Sequence, residues 1–233
     1  MIIEFYFGKI NLNIKKIKKK MKKLFFAALA AFTISFSANA QDEAKFSLDL
    51  RAGANFATTT AKAEQGATKT SRLGLNAGVY ANYNVAPTFA LQLGLVYSGK
   101  GYGEKMGSDK LNLTLEYLEI PLNAVYKIPA GNKVKVVINA GPYFALALGG
   151  KIKASTMGVD VSTDVKFGSD QDKIKGTDFG FNFGAGVEIS DKFLVNLNYG
   201  LGLTNLSNDT SAGATKVNNR VFSVGVGYRL FSK

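Results

Sequence analysis

Residues 179–203 read FGFNFGAGVEI, then SDK, then FLVNLNYGLGL. Successive side chains of a strand point to opposite faces, so every second residue belongs to one surface. Phe179, Phe181, Phe183, Ala185, Val187 and Ile189 form one face; Asp178, Asn182, Gly184, Gly186 and Glu188 form the other. After Ser190-Asp191-Lys192, the alternation resumes with Phe193, Val195, Leu197, Tyr199, Leu201 and Leu203 against Asn196, Asn198, Gly200 and Gly202. Two strands joined by three polar residues make an antiparallel hairpin.

The same pattern recurs on both sides. Upstream, alternating stretches begin at Phe46, Leu73, Phe89, Leu111 and Val134, and downstream one begins at Phe222. Short breaks follow the second, fourth and sixth stretches, at 84–87, 129–132 and 190–192. Long polar breaks follow the first, third, fifth and seventh, at about 57–71, 99–110, 150–175 and 207–216. Short turns at one end and long loops at the other are the rhythm of bacterial outer-membrane barrels. The expectation is an all-β fold: an eight-stranded antiparallel transmembrane barrel with short periplasmic turns and four longer extracellular loops.

The apolar face is nearly free of charge, and the other carries Gly, Asn, Ser and a few ions, which reads as lipid-out and polar-in. A soluble barrel would turn the apolar face inward, and alternation alone does not choose. Tyr83, Phe89, Tyr126, Phe193 and Tyr228 fall at the short-turn end, and Phe56, Tyr97 and Tyr117 at the other, as two interfacial girdles would. In the fourth stretch the apolar residues are odd-numbered to Tyr117 and even-numbered from Leu118, which predicts a β-bulge there. Pro121 and Gly141-Pro142 mark further irregularities.

The chain has no Cys and no His. Disulfides, thiolate chemistry and a Ser-His arrangement are therefore excluded. Carboxylates at Glu116, Glu119, Asp178 and Glu188 face the expected lumen, but eight strands leave an interior filled by side chains. Ions there must be paired. The expected lumen ion pairs draw on Arg51 and Glu119 near mid-depth and on Glu188 and Arg229 near the periplasmic end. No enzyme activity and no cofactor are expected. Asp160, Asp164, Asp170 and Asp172 lack the spacing of a calcium loop, so no metal is assigned. Gly99-Lys-Gly-Tyr-Gly103 lacks phosphate-loop spacing and reads as the start of a mobile loop.

Residues 21–40 have the form of a signal peptide: Met21-Lys22-Lys23, an apolar run from Leu24 to Phe36, then Ala38-Asn39-Ala40. Cleavage would leave a barrel domain of 41–233. Residues 1–20 read as a non-native extension, with Met21 the true start. Eight of the 29 basic and one of the 17 acidic side chains lie in 1–40, so 21 and 16 remain beyond it, a net of +5. The formal +12 is thus mostly targeting sequence, and no basic stripe suggests nucleic acid.

The C-terminus carries Ser223, Gly225, Tyr228, Leu230 and Phe231. This resembles the signal recognised by barrel-insertion machinery, with Leu230 in place of the usual final aromatic. Tyr117-Leu-Glu-Ile-Pro-Leu122 and Asn139-Ala-Gly-Pro-Tyr-Phe144 resemble two segments of the PorT-like outer-membrane β-barrel family of Bacteroidota. The resemblance covers about 45–231 and implies an outer-membrane barrel. One branch of that family is tied to secretion and gliding machinery, and most members have no assigned task. The expected role is structural or partner-binding at the cell envelope, in contact with outer-membrane lipids, insertion machinery and envelope proteins. The alternatives are a small solute pore and a soluble lipocalin-like periplasmic barrel.

Overall fold

The computed structural model describes residues 45–63, 65–170, 173–209, 211 and 215–233. The expected leader and extension, and Asp172, lie outside them. The strands are β1 (Phe46–Thr59), β2 (Thr68–Thr70), β3 (Arg72–Ala86), β4 (Phe89–Met106), β5 (Asp109–Pro129), β6 (Val134–Thr156), β7 (Val159–Asp164), β8 (Thr177–Ile189), β9 (Phe193–Gly202) and β10 (Asn219–Ser232).

Eight of these pair antiparallel in the order β1, β3, β4, β5, β6, β8, β9, β10, and β10 pairs back onto β1. The ring is closed, so each of its strands has neighbours on both edges, as hydrocarbon demands of a spanning sheet. Phe46 N and Lys233 N each donate to the other's carbonyl, at 2.7 and 2.8 Å, and so fasten the last strand to the first.

The outside of the ring is apolar. Leu75 is 70% exposed, and Phe144, Phe183, Leu197 and Tyr228 are exposed around the circumference. The inside is polar, with Asp49, Asn55, Asn82, Gln92, Lys100, Asn123, Asp178 and Glu188 all buried. Inner and outer faces are thus reversed relative to a soluble barrel.

The short turns lie where the sequence places them. In the β8–β9 turn Ser190 and Asp191 take φ of 54° and 55°, and Lys192 N donates to Ile189 O at 3.1 Å. At the other end the structure departs from the expected loops. The 99–110 segment is a continued hairpin of β4 and β5, with Met106 opposite Asp109, so Gly99–Gly103 is strand and not a mobile loop. Much of the 150–175 segment is the β6–β7 hairpin, and β2 pairs with β4 within the first long loop. Strands β2, β4, β5, β6 and β7 thereby form a sheet that continues past the ring.

The phase break in the fourth stretch has a different cause from the one expected. Strand β5 keeps its phase: Leu113, Leu115, Tyr117, Glu119, Pro121, Asn123, Val125 and Lys127 are all inward and buried. The register irregularity between Glu116 and Tyr117 is real, but Leu148 of β6 is the extra residue. What changes at Tyr117 is the environment inside the ring. Tyr117 itself is fully buried and therefore belongs to no lipid-facing girdle. A second irregularity inserts Leu230 opposite the β1 step from Leu48 to Asp49, and so pairs Phe231 with Leu48.

Pro121 and Pro142 lie beside each other in the β5–β6 ladder, where Pro121 faces Tyr143. Neither ring nitrogen can donate. A Cβ on Gly141 would sit 1.9 Å from Leu122 O, so only glycine allows this approach of the two backbones.

Candidate functional site: a lumen closed by two ionic layers

The lower layer lies by the short turns. Arg229 Nη2 is 2.8 Å from Glu188 Oε2, and Arg229 Nε is 2.9 Å from Asp49 Oδ1. Arg51 Nη2 reaches the other Asp49 oxygen at 2.9 Å, and Arg51 stacks 4.4 Å from the centre of the Tyr80 ring. Asn82 Nδ2 donates to Asp49 Oδ2 at 3.0 Å. Lys135 Nζ lies 3.7 Å from Glu188 and 2.6 Å from Asp191 in the β8–β9 turn. That hydrogen bond holds the Asp191 carboxyl below the usual carboxylate range.

The upper layer centres on Lys100. Its Nζ is 2.8 Å from Glu119 Oε2 and 3.3 Å from Asp178 Oδ2. Tyr143 and Asn219 donate to the same Asp178 oxygen at 3.0 and 2.8 Å. The ammonium also sits 4.3 Å from the centre of the Tyr143 ring, a cation–π contact in a desolvated setting. Each charge in these two layers has an opposite partner, whereas the buried Lys127 donates to the neutral Asn84 Oδ1 at 2.9 Å.

Above this layer Leu113, Leu115, Tyr117, Tyr143, Ala145 and Leu206 form a dry cluster, with Val165, Phe167, Ile174 and Val217 against it. The loops that bring these residues are tied together: Lys175 N donates to Leu206 O at 2.9 Å, and Leu206 N to Val217 O at 2.8 Å. The mouth on the long-loop side is therefore closed by an apolar lid.

Between the layers runs a chain of amides. Gln92 donates to Asn82 at 2.7 Å, and Asn123 to Gln92 at 3.2 Å. Asn76 and Ser223 both donate to Asn55 Oδ1, at 2.6 and 2.7 Å. A void of about 60 Å³ remains, lined by Arg51, Asn76, Glu119 and Asn196 among others. A second of about 20 Å³ shares Arg51, Gln92 and Asn196 with it. Spaces of this size hold a few waters, which suits the unpartnered Arg51 Nε and Asn196 Oδ1.

The four charges named from sequence all line the interior. Glu188 and Arg229 meet. Arg51 and Glu119 do not meet each other; they pair with Asp49 and Lys100. Asp49 stood on the polar face in the sequence, but nothing marked it as the shared partner of two arginines. Lys100 was missed because its segment reads as a loop. Glu116 was expected in the lumen; it lies on the even, outward face of β5, against Tyr97. Ser223 points inward to Asn55, whereas Tyr228, Leu230 and Phe231 are exposed on the outside. Asp170 contacts Lys173 in its loop.

A closed ring of eight antiparallel strands with an apolar exterior and an ion-paired interior defines a transmembrane β-barrel of the outer-membrane class. The chain belongs to the outer membrane protein beta-barrel domain family, whose sequence model matches residues 36–208, and its place is the outer membrane. No curated protein sequence matches the chain. Among solved structures it is similar to Ail of Yersinia pestis, at 13% identity over 80% of this chain and 99% of that one, with a TM-score of 0.41. It is similar to Neisserial surface protein A at 15% identity over 81% and 99%, with a TM-score of 0.43. It is also similar to OprG from Pseudomonas aeruginosa at 13% identity over 82% and 99%, with a TM-score of 0.41. The outward apolar face and the family together set aside the soluble lipocalin-like alternative.

Proposed function

We propose that the protein is a non-enzymatic envelope platform that presents its protruding sheet to a protein partner. The observation that carries this reading is the edge strand β7. All six of its residues are exposed, and among the described residues it pairs only with β6. An unpaired edge offers a row of backbone donors and acceptors to an incoming strand, and alternate side chains supply selectivity.

The tip of the hairpin supports the same reading. Met157 is 92% exposed and sits at φ 52°, followed by Gly158 at φ 82°. Turns of this kind favour Asn-Gly, because a left-handed Met is disfavoured by about 1–2 kcal/mol. An exposed Met at that cost suits a contact residue. Val159 and Val161, at 64% and 57% exposure, extend the apolar surface along the edge.

The PorT-like resemblance supports an envelope role, since its two segments are neighbours in the β5–β6 ladder. Ser223, Gly225, Tyr228, Leu230 and Phe231 are proposed as the contact for barrel-insertion machinery during biogenesis. The pore alternative draws on the Gly-rich inner face, but the two ionic layers and the apolar lid weigh against it.

The test is photocrosslinking from residue 161 in the native host, with mass spectrometry of the products. The expected result is one recurrent partner that Ser162→Pro, which removes a backbone donor from the free edge, abolishes while the barrel still inserts. Crosslinks to lipid or to no protein would overturn the reading.

A further inference from the structure

The extended β4, β5 and β6 strands carry a second surface, on the side continuous with the lipid belt. Along β6 the outward residues Phe144, Leu146 and Leu148 are exposed and apolar. Just past the irregularity at Leu148, the outward positions become Lys151 and Lys153. Register places Lys151 opposite Thr114, Lys153 opposite Asn112, and Ser155 opposite Lys110. Lys110 is in turn directly opposite Lys105 of β4. All four lysines are exposed. From β3, Arg72 Nε donates to Thr114 Oγ1 at 2.9 Å, so Thr114 is bracketed by Arg72 and Lys151.

Like charges directly across a ladder destabilise it unless an anion lies between them. The sheet supplies little of that compensation. Among the described residues none of the four lysines has a carboxylate within 4.0 Å, although Asp164 is the register partner of Lys151 and Asp160 that of Ser155. Glu116, on the same outward face of β5, also interacts with Arg72, and five cations against these three carboxylates still leave the surface positive. Lysines just above an apolar belt bury their stems along it and lift their ammonium groups to headgroup level. Phosphate is the anion found at that level, and it accepts charge-assisted bonds from Lys and Arg.

We propose that Arg72, Lys105, Lys110, Lys151 and Lys153 form a binding face for the phosphates of outer-leaflet lipid headgroups. Bound phosphates would neutralise the facing lysines and fix the protruding sheet against the membrane. This face is separate from the β7 edge, so its failure leaves the partner reading untouched.

The test uses the full folded barrel in neutral detergent and native mass spectrometry with bis-phosphorylated lipid A. Dephosphorylated lipid A serves as the control, and free pyrophosphate as competitor. The expected result is at least tenfold tighter binding of the phosphorylated lipid, falling to the control level in K105E/K110E/K151E/K153E. Equal binding of the two lipids by the unaltered protein would overturn the proposal. So would full binding by the reversed variant, or pyrophosphate bound as tightly as the lipid. Heat-dependent gel migration reports whether the variant is folded. Should it not fold, K151E/K153E, which lies above the ring, carries the same expectation, and full binding by that variant overturns the proposal.

Discussion

Asp49 and Arg229 lie directly opposite one another across the seam between the first and last strands of the ring, with Nε 2.9 Å from Oδ1. The pair spans 180 residues of sequence and sits at the position where the barrel closes. Arg229 also holds Glu188 on β8 across β9, so one guanidinium connects β1, β8 and β10.

Removing that guanidinium leaves two buried carboxylates short of a partner. Arg229→Met should therefore destabilise the folded barrel by about 3–5 kcal/mol. Urea unfolding of the protein in detergent checks this. Arg229→Met combined with Asp49→Asn and Glu188→Gln should recover a large part of the loss, because the stranded charges go with the arginine.

Neighbouring residues on β9 separate the two faces. Val195 is outward and 46% exposed, and Asn196 lines the inner voids. Val195→Arg should cost about 2–4 kcal/mol near the membrane midplane. Asn196→Arg enters a polar interior and should cost less. Folding titrations in lipid vesicles measure both, and equal costs would contradict the assignment of faces.

Two glycines predict opposite outcomes for one methyl group. Gly141→Ala places a carbon against Leu122 O, beside Pro121 and Pro142, and should cost about 1–3 kcal/mol. Gly149→Ala meets only the Glu116 side chain at 3.7 Å and should be nearly neutral. Thermal unfolding of the two variants in detergent compares them.

The β6–β7 tip couples stability to binding. Met157→Asn relieves a left-handed Met at φ 52° and should slow amide exchange in the hairpin. The same variant should crosslink less partner, because the apolar tip is gone. Faster exchange, or unchanged crosslinking, would contradict the assigned role of Met157.

The ring was legible wherever one environment runs the length of a strand. In β8, β9 and β10 the apolar positions face lipid throughout, so alternation alone gives strand, face and turn. Strand β5 misled because its inner face passes from amide-lined lumen to apolar lid at Tyr117, and hydrophobicity then imitates a shift in phase. The β4–β5 extension was hidden by composition: residues 99–110 are rich in Gly and Lys, which read as a polar loop in a short window. That misreading concealed Lys100, the centre of the upper ionic layer. Glu188 and Arg229 were legible as interior ions because their strands were. Their shared contact with Asp49 was not, since it depends on the register across the closing seam.

Single-channel recording of the folded protein in a planar bilayer asks whether the lumen is sealed, leaving the outer surfaces to act. With the Arg229 and Lys100 layers and the lid around Leu115 in place, the current should stay at baseline across the accessible voltages. Reproducible open steps from folded, inserted protein would mean that the lumen conducts and would restore the pore.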